Sequence, residues 1–234
     1  MNATAPTDSL APVPDLLRGS TADPMSDWIT IGFPKHAQET GQWFFEVHLR
    51  EECAAPQVGL LSTSFQSRPG SKTGQGVGDD AHGWAADGLS ASRWHGGRNR
   101  SWSQVWQAKG GQGNRVLSAG VTVGVAVDLD ARKIFFATDG QWDEVPAFSE
   151  EDIPLGLALY PAVSLKGRAS FCFGPECSFG PLSSRFSHWP GLLGQSRIDM
   201  PRIGDEEILS LYKAQLENSF VENGSSGFLC MVES

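Results

Sequence analysis

At 234 residues the chain has room for one large or two small domains, and its 27 acidic against 18 basic residues leave a formal net charge of -9, which argues against an extended phosphate-binding surface. A content of 27 Gly and 14 Pro, with 40% hydrophobic residues and 8 Trp, is what many short strands joined by tight turns around an aromatic core would need. No stretch approaches ~18 consecutive apolar residues and the first 25 residues lack a charged start followed by an apolar run, so neither a membrane span nor a secretory signal is expected and the cytoplasm is the expected setting.

Residues 1–26 are rich in Ala, Pro, Ser, Thr and Asp and carry few large apolar groups; they read as a disordered leader, because too little burial is on offer to offset the entropy of ordering. Strands begin at Trp28–Ile31. Over Gln42–Leu49, Trp43, Phe45, Val47 and Leu49 alternate against Gln42, Glu46 and His48, which sends the apolar set to one face of a strand. Val58–Leu61 is a short apolar run that fits a buried strand, and Ser62–Gln75 is a polar, Gly-containing loop of functional size.

The clearest element is Val121, Val123, Val125, Val127 and Leu129, every second residue of one segment, against Thr122, Gly124, Ala126 and Asp128. A period of 3.6 would smear those five side chains around a helix, and β-branched residues favour strands. Asp130–Lys133 turns the chain into Ile134–Thr138, and Asp139-Gly140 supplies a second reversal with residues that tolerate positive φ. An antiparallel meander follows.

Leu157–Leu165 and Arg168–Phe173 read as two further strands, and Gly174-Pro175 ends the β pattern. Residues 176–201 are punctuated by prolines, which predicts a chain that either wraps over the domain or leads away from it. Ile208, Leu211, Tyr212 and Leu216 then share one stripe, predicting a short amphipathic helix over 202–222 ahead of a flexible tail, 223–234. The cysteines, Cys53, Cys172, Cys177 and Cys230, are irregularly spaced; reduced thiols are expected, and Cys172-x4-Cys177 is not the usual zinc spacing.

These motifs, in this order, resemble the SPRY domain, and within that family the versions in ryanodine receptors and giant ubiquitin ligases. Gly41-Gln42-Trp43-Phe44-Phe45-Glu46-Val47 is similar to the family's opening strand, and Gly76–Gly88, with Asp79-Asp80 and the Asp87-Gly88 turn, to its middle motif. Arg93-Trp94-His95, Val121–Asp128, Thr138-Asp139-Gly140, Leu159–Leu165 and Phe171-Cys172-Phe173-Gly174 follow in sequence. The chain departs where the family often has Gly-Trp, here Gly59-Leu60, where it usually has Leu-Asn-Gly, here Thr138-Asp139-Gly140, and where it has Asn in the last strand, here Cys172. The resemblance implies an all-β, two-layer antiparallel sandwich of the concanavalin-like jelly-roll kind over residues 27–175, carrying the short C-terminal helix. It also implies end loops that grip a peptide or folded protein, with no catalysis, cofactor or metal.

A glycoside-cleaving sandwich needs two carboxylates across a groove; Asp128 and Asp130 lie two apart but at a turn beside Arg132-Lys133. Asp79, Asp80 and His82 carry metal-donor atoms, but adjacent aspartates diverge in an extended chain. Carbohydrate binding, or a structural place inside a larger channel or ubiquitin ligase, remains an alternative; no zinc-binding RING array is present.

One constellation stands out. Between Asp87 and Asp128 there is no acidic residue, while Arg93, His95, Arg98, Arg100, Lys109 and Arg115 are interleaved with Trp94, Trp102 and Trp106. Arg and Trp dominate binding energy at interfaces. The candidate partner-binding residues are therefore Asp79, Asp80, His82, Arg93, Trp94, His95, Arg98, Arg100, Trp102 and Trp106, and the expected partner is a protein or peptide of acidic character. A nucleic acid is the less favoured ligand, and the oligomeric state is not legible.

Overall fold

A computed structural model describes residues 28–66, 76–111 and 114–192, together with the backbone of 15–18 and 198–199. In chain order the strands are β1 (Asp15–Arg18), β2 (Ile29–Gly32), β3 (Gln42–Leu49), β4 (Ala54–Ser62), β5 (Gly83–Asp87), β6 (Ser92–His95), β7 (Arg98–Ser101) and β8 (Ala108–Lys109). They continue with β9 (Val116–Leu117), β10 (Val121–Asp128), β11 (Lys133–Thr138), β12 (Gln141–Trp142), β13 (Leu159–Lys166), β14 (Ala169–Cys172), β15 (Ser187–His188) and β16 (Ile198–Asp199). A single 3-10 turn, Pro34–His36, is the one helical element among the described residues.

The strands form two sheets. The first runs β1-β2-β13-β4-β5-β6-β7, with β9 and β8 attached to β4; the second runs β12-β11-β10-β3-β14-β16, with β15 alongside β3. The expected meander is β10-β11-β12, and its second reversal has Asp139 at φ 48 and Gly140 at φ 81, the doubly positive geometry that a two-residue hairpin prefers.

Alternation decides which side chains meet between the layers. Phe45, Val47 and Leu49 of β3, Val121, Val123, Val125 and Val127 of β10, and Phe136 of β11 face Ile29, Ile31, Val58, Leu60, Trp84 and Val163 of the first sheet in one buried cluster. This is the two-layer antiparallel sandwich expected, with the face-to-face packing such sheets adopt. Burial of each large aromatic contributes roughly 4 kcal/mol at about 25 cal/mol per Å².

Both outer faces are covered as well. Over the first sheet, Val77 and Phe65 pack with Leu61, Ala85, Tyr160 and Ala162. Over the second, Phe186 joins Phe44 and Ala126, with Leu182 and Cys177 against them. The proline-punctuated segment therefore wraps over the domain as far as Leu192, with Trp189 in the main core. Glu46 fastens it: this buried carboxylate, 2% exposed, accepts the backbone N–H groups of Ser178, Phe179 and Gly180 at 2.6, 2.9 and 3.0 Å.

Part of the leader is corrected. Asp15–Arg18 lie within the stretch expected to be disordered, yet form an antiparallel edge strand on β2; this stretch, DLLR, holds two of the leader's leucines and meets an open sheet edge whose backbone groups it can pair. The helix expected over 202–222 and the tail 223–234 lie outside the described residues.

Candidate functional site

The basic strip folds into the β6–β7 hairpin at one end of the first sheet. Gly96 and Gly97, at φ 62 and 70, make its two-residue turn, a conformation open to glycine at both positions without strain. Register then sets Arg93 opposite Arg100 and His95 opposite Arg98. Because side chains alternate, all four basic residues share one face, the face that Trp84 and Ala86 of the neighbouring β5 also present. Like charges directly opposite one another in a sheet destabilise it.

The four are not equivalent. Arg93 is half-buried: its guanidinium donates to the Ala147 carbonyl and lies 5.9 Å from the centre of the Phe148 ring, while its Nε has no partner among the described residues. His95 stacks on Trp84 with ring centres 4.9 Å apart, and its Nδ1 is 2.8 Å from the Gly83 carbonyl oxygen. Arg100 pairs with Asp152 at 2.9 Å, although its own side chain is 56% exposed. The Arg98 side chain is exposed and makes no ion pair or hydrogen bond among the described residues.

Asp79, Asp80 and His82 lie in the segment under the hairpin tip, and their side chains bond within that segment and to β4. Asp79 accepts Gly76 N–H at 3.0 Å and the Gln57 amide at 2.9 Å; the Asp80 side chain accepts His82 N–H at 2.7 Å while its carbonyl accepts Gly96 N–H. Gly97 N–H donates to the Gly78 carbonyl, and a Cβ on Gly97 would come within 2.9 Å of the Asp79 carbonyl oxygen. The middle motif is thus a clamp under the hairpin tip. His82 Nδ1 faces the Ser62 hydroxyl at 3.3 Å.

Two of the tryptophans are corrected. Trp102 and Trp106 are 7% and 3% exposed and belong to the main core, so they do not form an accessible rim. Trp102 donates to Asp143 at 2.6 Å and Trp106 to Thr138 Oγ1 at 2.9 Å; each indole buries its ring and satisfies its polar atom, as buried tryptophan should. Gly88 is what admits Trp106, since a Cβ there would collide with the indole. Trp94 faces the other side of β6, half-buried against the outer cluster, its Nε1 without a partner among the described residues. What the sequence did not reveal is the exposed apolar set on the bordering segments: Val105 at 67%, Val145 at 69% and Leu155 at 83%.

The other candidates are absorbed by structure. Asp128 accepts Ala131 N–H with one oxygen and the Gln42 amide with the other, and Asp130 accepts Gly41 N–H; both carboxylates are engaged in closing the turn. Asp87, at the β5–β6 turn, accepts Leu89 N–H, Ser90 N–H and the Ser90 hydroxyl, and burial pushes its carboxyl above the ordinary value despite those bonds. Cys53, Cys172 and Cys177 are in no disulfide among the described residues; the hydrogen bond between the Cys177 and Cys172 thiols, with burial, pushes Cys177 up. No helix among the described residues is long and apolar enough to cross a membrane.

A family model described as the SPRY domain matches residues 42–176. That span runs from the first residue of β3 to just past β14, takes in the hairpin and the central strands of both packed sheets, and exceeds half of the 234 residues. The chain belongs to the SPRY domain family.

Proposed function

We propose that this chain is a non-enzymatic interaction module that binds an acidic peptide segment or the acidic surface of a protein partner at the β6–β7 end of the sandwich. SPRY domains are in general protein-interaction modules, typically without catalysis. The observation that carries the acidic reading is the set of Arg93, His95, Arg98 and Arg100 on one hairpin face, with Asp152 the one carboxylate paired to it among the described residues. Val105, Val145 and Leu155 on the bordering segments supply the apolar contact that an interface core needs. Charge complementarity of this kind chiefly sets specificity and association rate.

The setting we favour is cytoplasmic, in keeping with three free thiols among the described residues. Kinship with the SPRY domains of ryanodine receptors and giant ubiquitin ligases, drawn from the Gly76–His95 and Val121–Asp128 motifs, supports a role in assembly or substrate recognition, as a part of a larger protein or as an adaptor. A free-standing carbohydrate site draws no specific support, since Asp128 and Asp130 are both engaged in their turn.

The test is site-specific photo-crosslinking in the protein's own cells from Val105, with Arg98→Glu and Arg100→Gln introduced together. Glutamine is chosen at 100 because glutamate would face Asp152. The reading expects a discrete protein adduct that fades with added salt and disappears in the double variant, at a melting temperature within about 3 °C of the parent, as loss of one surface ion pair implies. An adduct insensitive to both would refute it.

A further inference from the structure

The end of the first sheet is not merely charged; it is an open strand edge. β7 terminates the sheet order, all four of its residues are exposed, and no described strand lies beyond it. A short edge strand bearing cations is one way that proteins discourage edge pairing with unrelated chains. The like-charged cross-strand pair Arg93–Arg100 goes further than that, because it weakens the hairpin itself unless anions lie beside it.

Register shows where such anions would sit. In a hairpin closed by two residues the flanking pair, here His95 and Arg98, exchange both backbone hydrogen bonds, and bonded and non-bonded pairs alternate from there. Arg98 and Arg100 therefore turn their backbone groups toward β6. Asn99 and Ser101 turn theirs to the free edge. A strand laid against β7 would bond to Asn99 and Ser101, and its residues opposite Arg98 and Arg100 would form the close, non-bonded pairs in which opposed side chains approach most nearly. Carboxylates at every second position of that strand would meet both arginines on one face.

We propose that the partner's acidic segment binds as an added strand on β7, with Asp or Glu at alternate positions opposite Arg98 and Arg100. This rests on the acidic-partner reading above and specifies its geometry. Main-chain bonds at Asn99 and Ser101 supply affinity without regard to sequence, and the arginine pair selects the alternating acids, the division of labour that strand addition uses. Extended peptides with adjacent acids, or helical acidic segments, would place only some of their charges on the correct face.

The test uses the full chain and a probe peptide with glutamate at every second position and threonine or valine between, followed by residue-resolved hydrogen exchange. The expected result is slowed exchange of the Asn99 and Ser101 amides on adding the probe. Arg98 and Arg100 amides, already bonded to β6, should change little. Replacing the probe's glutamates by glutamines, or Arg98 and Arg100 by glutamine, should weaken binding about tenfold, as two opposed charge pairs imply. Salt-sensitive binding without new protection at Asn99 and Ser101 would overturn strand addition and leave the acidic reading standing. Protection of both amides before any peptide is added would mean that the edge is already occupied, and would also overturn it. If neither this probe nor an adjacent-acid peptide binds, the acidic reading falls with it.

Discussion

Replacing Glu46 by Ala should loosen the segment that wraps the outer face of the second sheet. Three backbone N–H groups, of Ser178, Phe179 and Gly180, converge on this carboxylate at 2.6 to 3.0 Å. Hydrogen bonds to a charged acceptor contribute about 1.5–3 kcal/mol each, although not additively. Residues 178 and 179 are themselves exposed, so water can reach the orphaned donors once the side chain is cut back. The variant should therefore lose about 3 kcal/mol, short of the simple sum. Glu46→Gln keeps one acceptor oxygen for Phe179 and Gly180 but turns an amide toward the Ser178 N–H, and should lose about 1–2 kcal/mol. At about 2–4 °C per kcal/mol for a domain of this size, the Ala variant should melt about 6–12 °C lower. Urea unfolding gives the free energy, and hydrogen exchange should show residues 176–192 opening before the β3–β10 pair. An Ala variant within about 0.5 kcal/mol of the parent, in the range of an ordinary surface change, would refute the reasoning.

Other outcomes follow from single contacts. Gly96→Asn should be nearly neutral in melting temperature, because the turn suits Asn-Gly and nothing lies within 4 Å of a Cβ there, whereas Gly97→Val should cost about 1–3 kcal/mol through its positive φ and the Asp79 carbonyl. The Asp87 carboxyl should titrate above its ordinary 3.8 in an NMR titration. A raised folded value means that its stabilising contribution is complete below 3.8 and is lost as pH rises through the folded value; the parent should accordingly lose stability relative to Asp87→Asn across that window. Cys177, held protonated by the Cys172 thiol and by burial, should react with iodoacetamide far more slowly in the native chain than in urea, read at that residue by mass spectrometry. Comparable native and unfolded rates would contradict the thiol contact.

The strands of the sandwich clearest in the sequence are those in which apolar residues mark one face. β3 and β10 alternate cleanly, and their observed bounds, Gln42–Leu49 and Val121–Asp128, coincide with the pattern. β7, reading RNRS and exposed throughout, has no apolar residue to announce it. It exists because Gly96-Gly97 can reverse the chain and β6 supplies a partner. β5, GWAAD, is buried at every position and so shows no alternation. At the site, the sign reversal between Asp87 and Asp128 marks a run of cations but does not say which tryptophans are accessible. Trp102 and Trp106 turn inward because Gly88, Thr138 and Asp143, two of them distant in sequence, make room and hydrogen bonds for them. Nor could spacing reveal that Arg93 faces Arg100 and His95 faces Arg98, since that depends on the hairpin register. Spacing is equally silent on Asp79 and Asp80, whose carboxylates accept Gly76 N–H and His82 N–H within the segment under the hairpin tip.

Hydroxyl-radical footprinting of the full chain, free and bound to its cross-linked partner, tests most directly whether the hairpin end is the working surface. Val105 and Leu155 report on that end, while Phe179, 51% exposed and packed on Gly140 with its N–H on Glu46, reports on the outer face of the second sheet. Binding should protect Val105 and Leu155 and leave Phe179 as reactive as before; protection of Phe179 with Val105 and Leu155 unchanged would contradict the account.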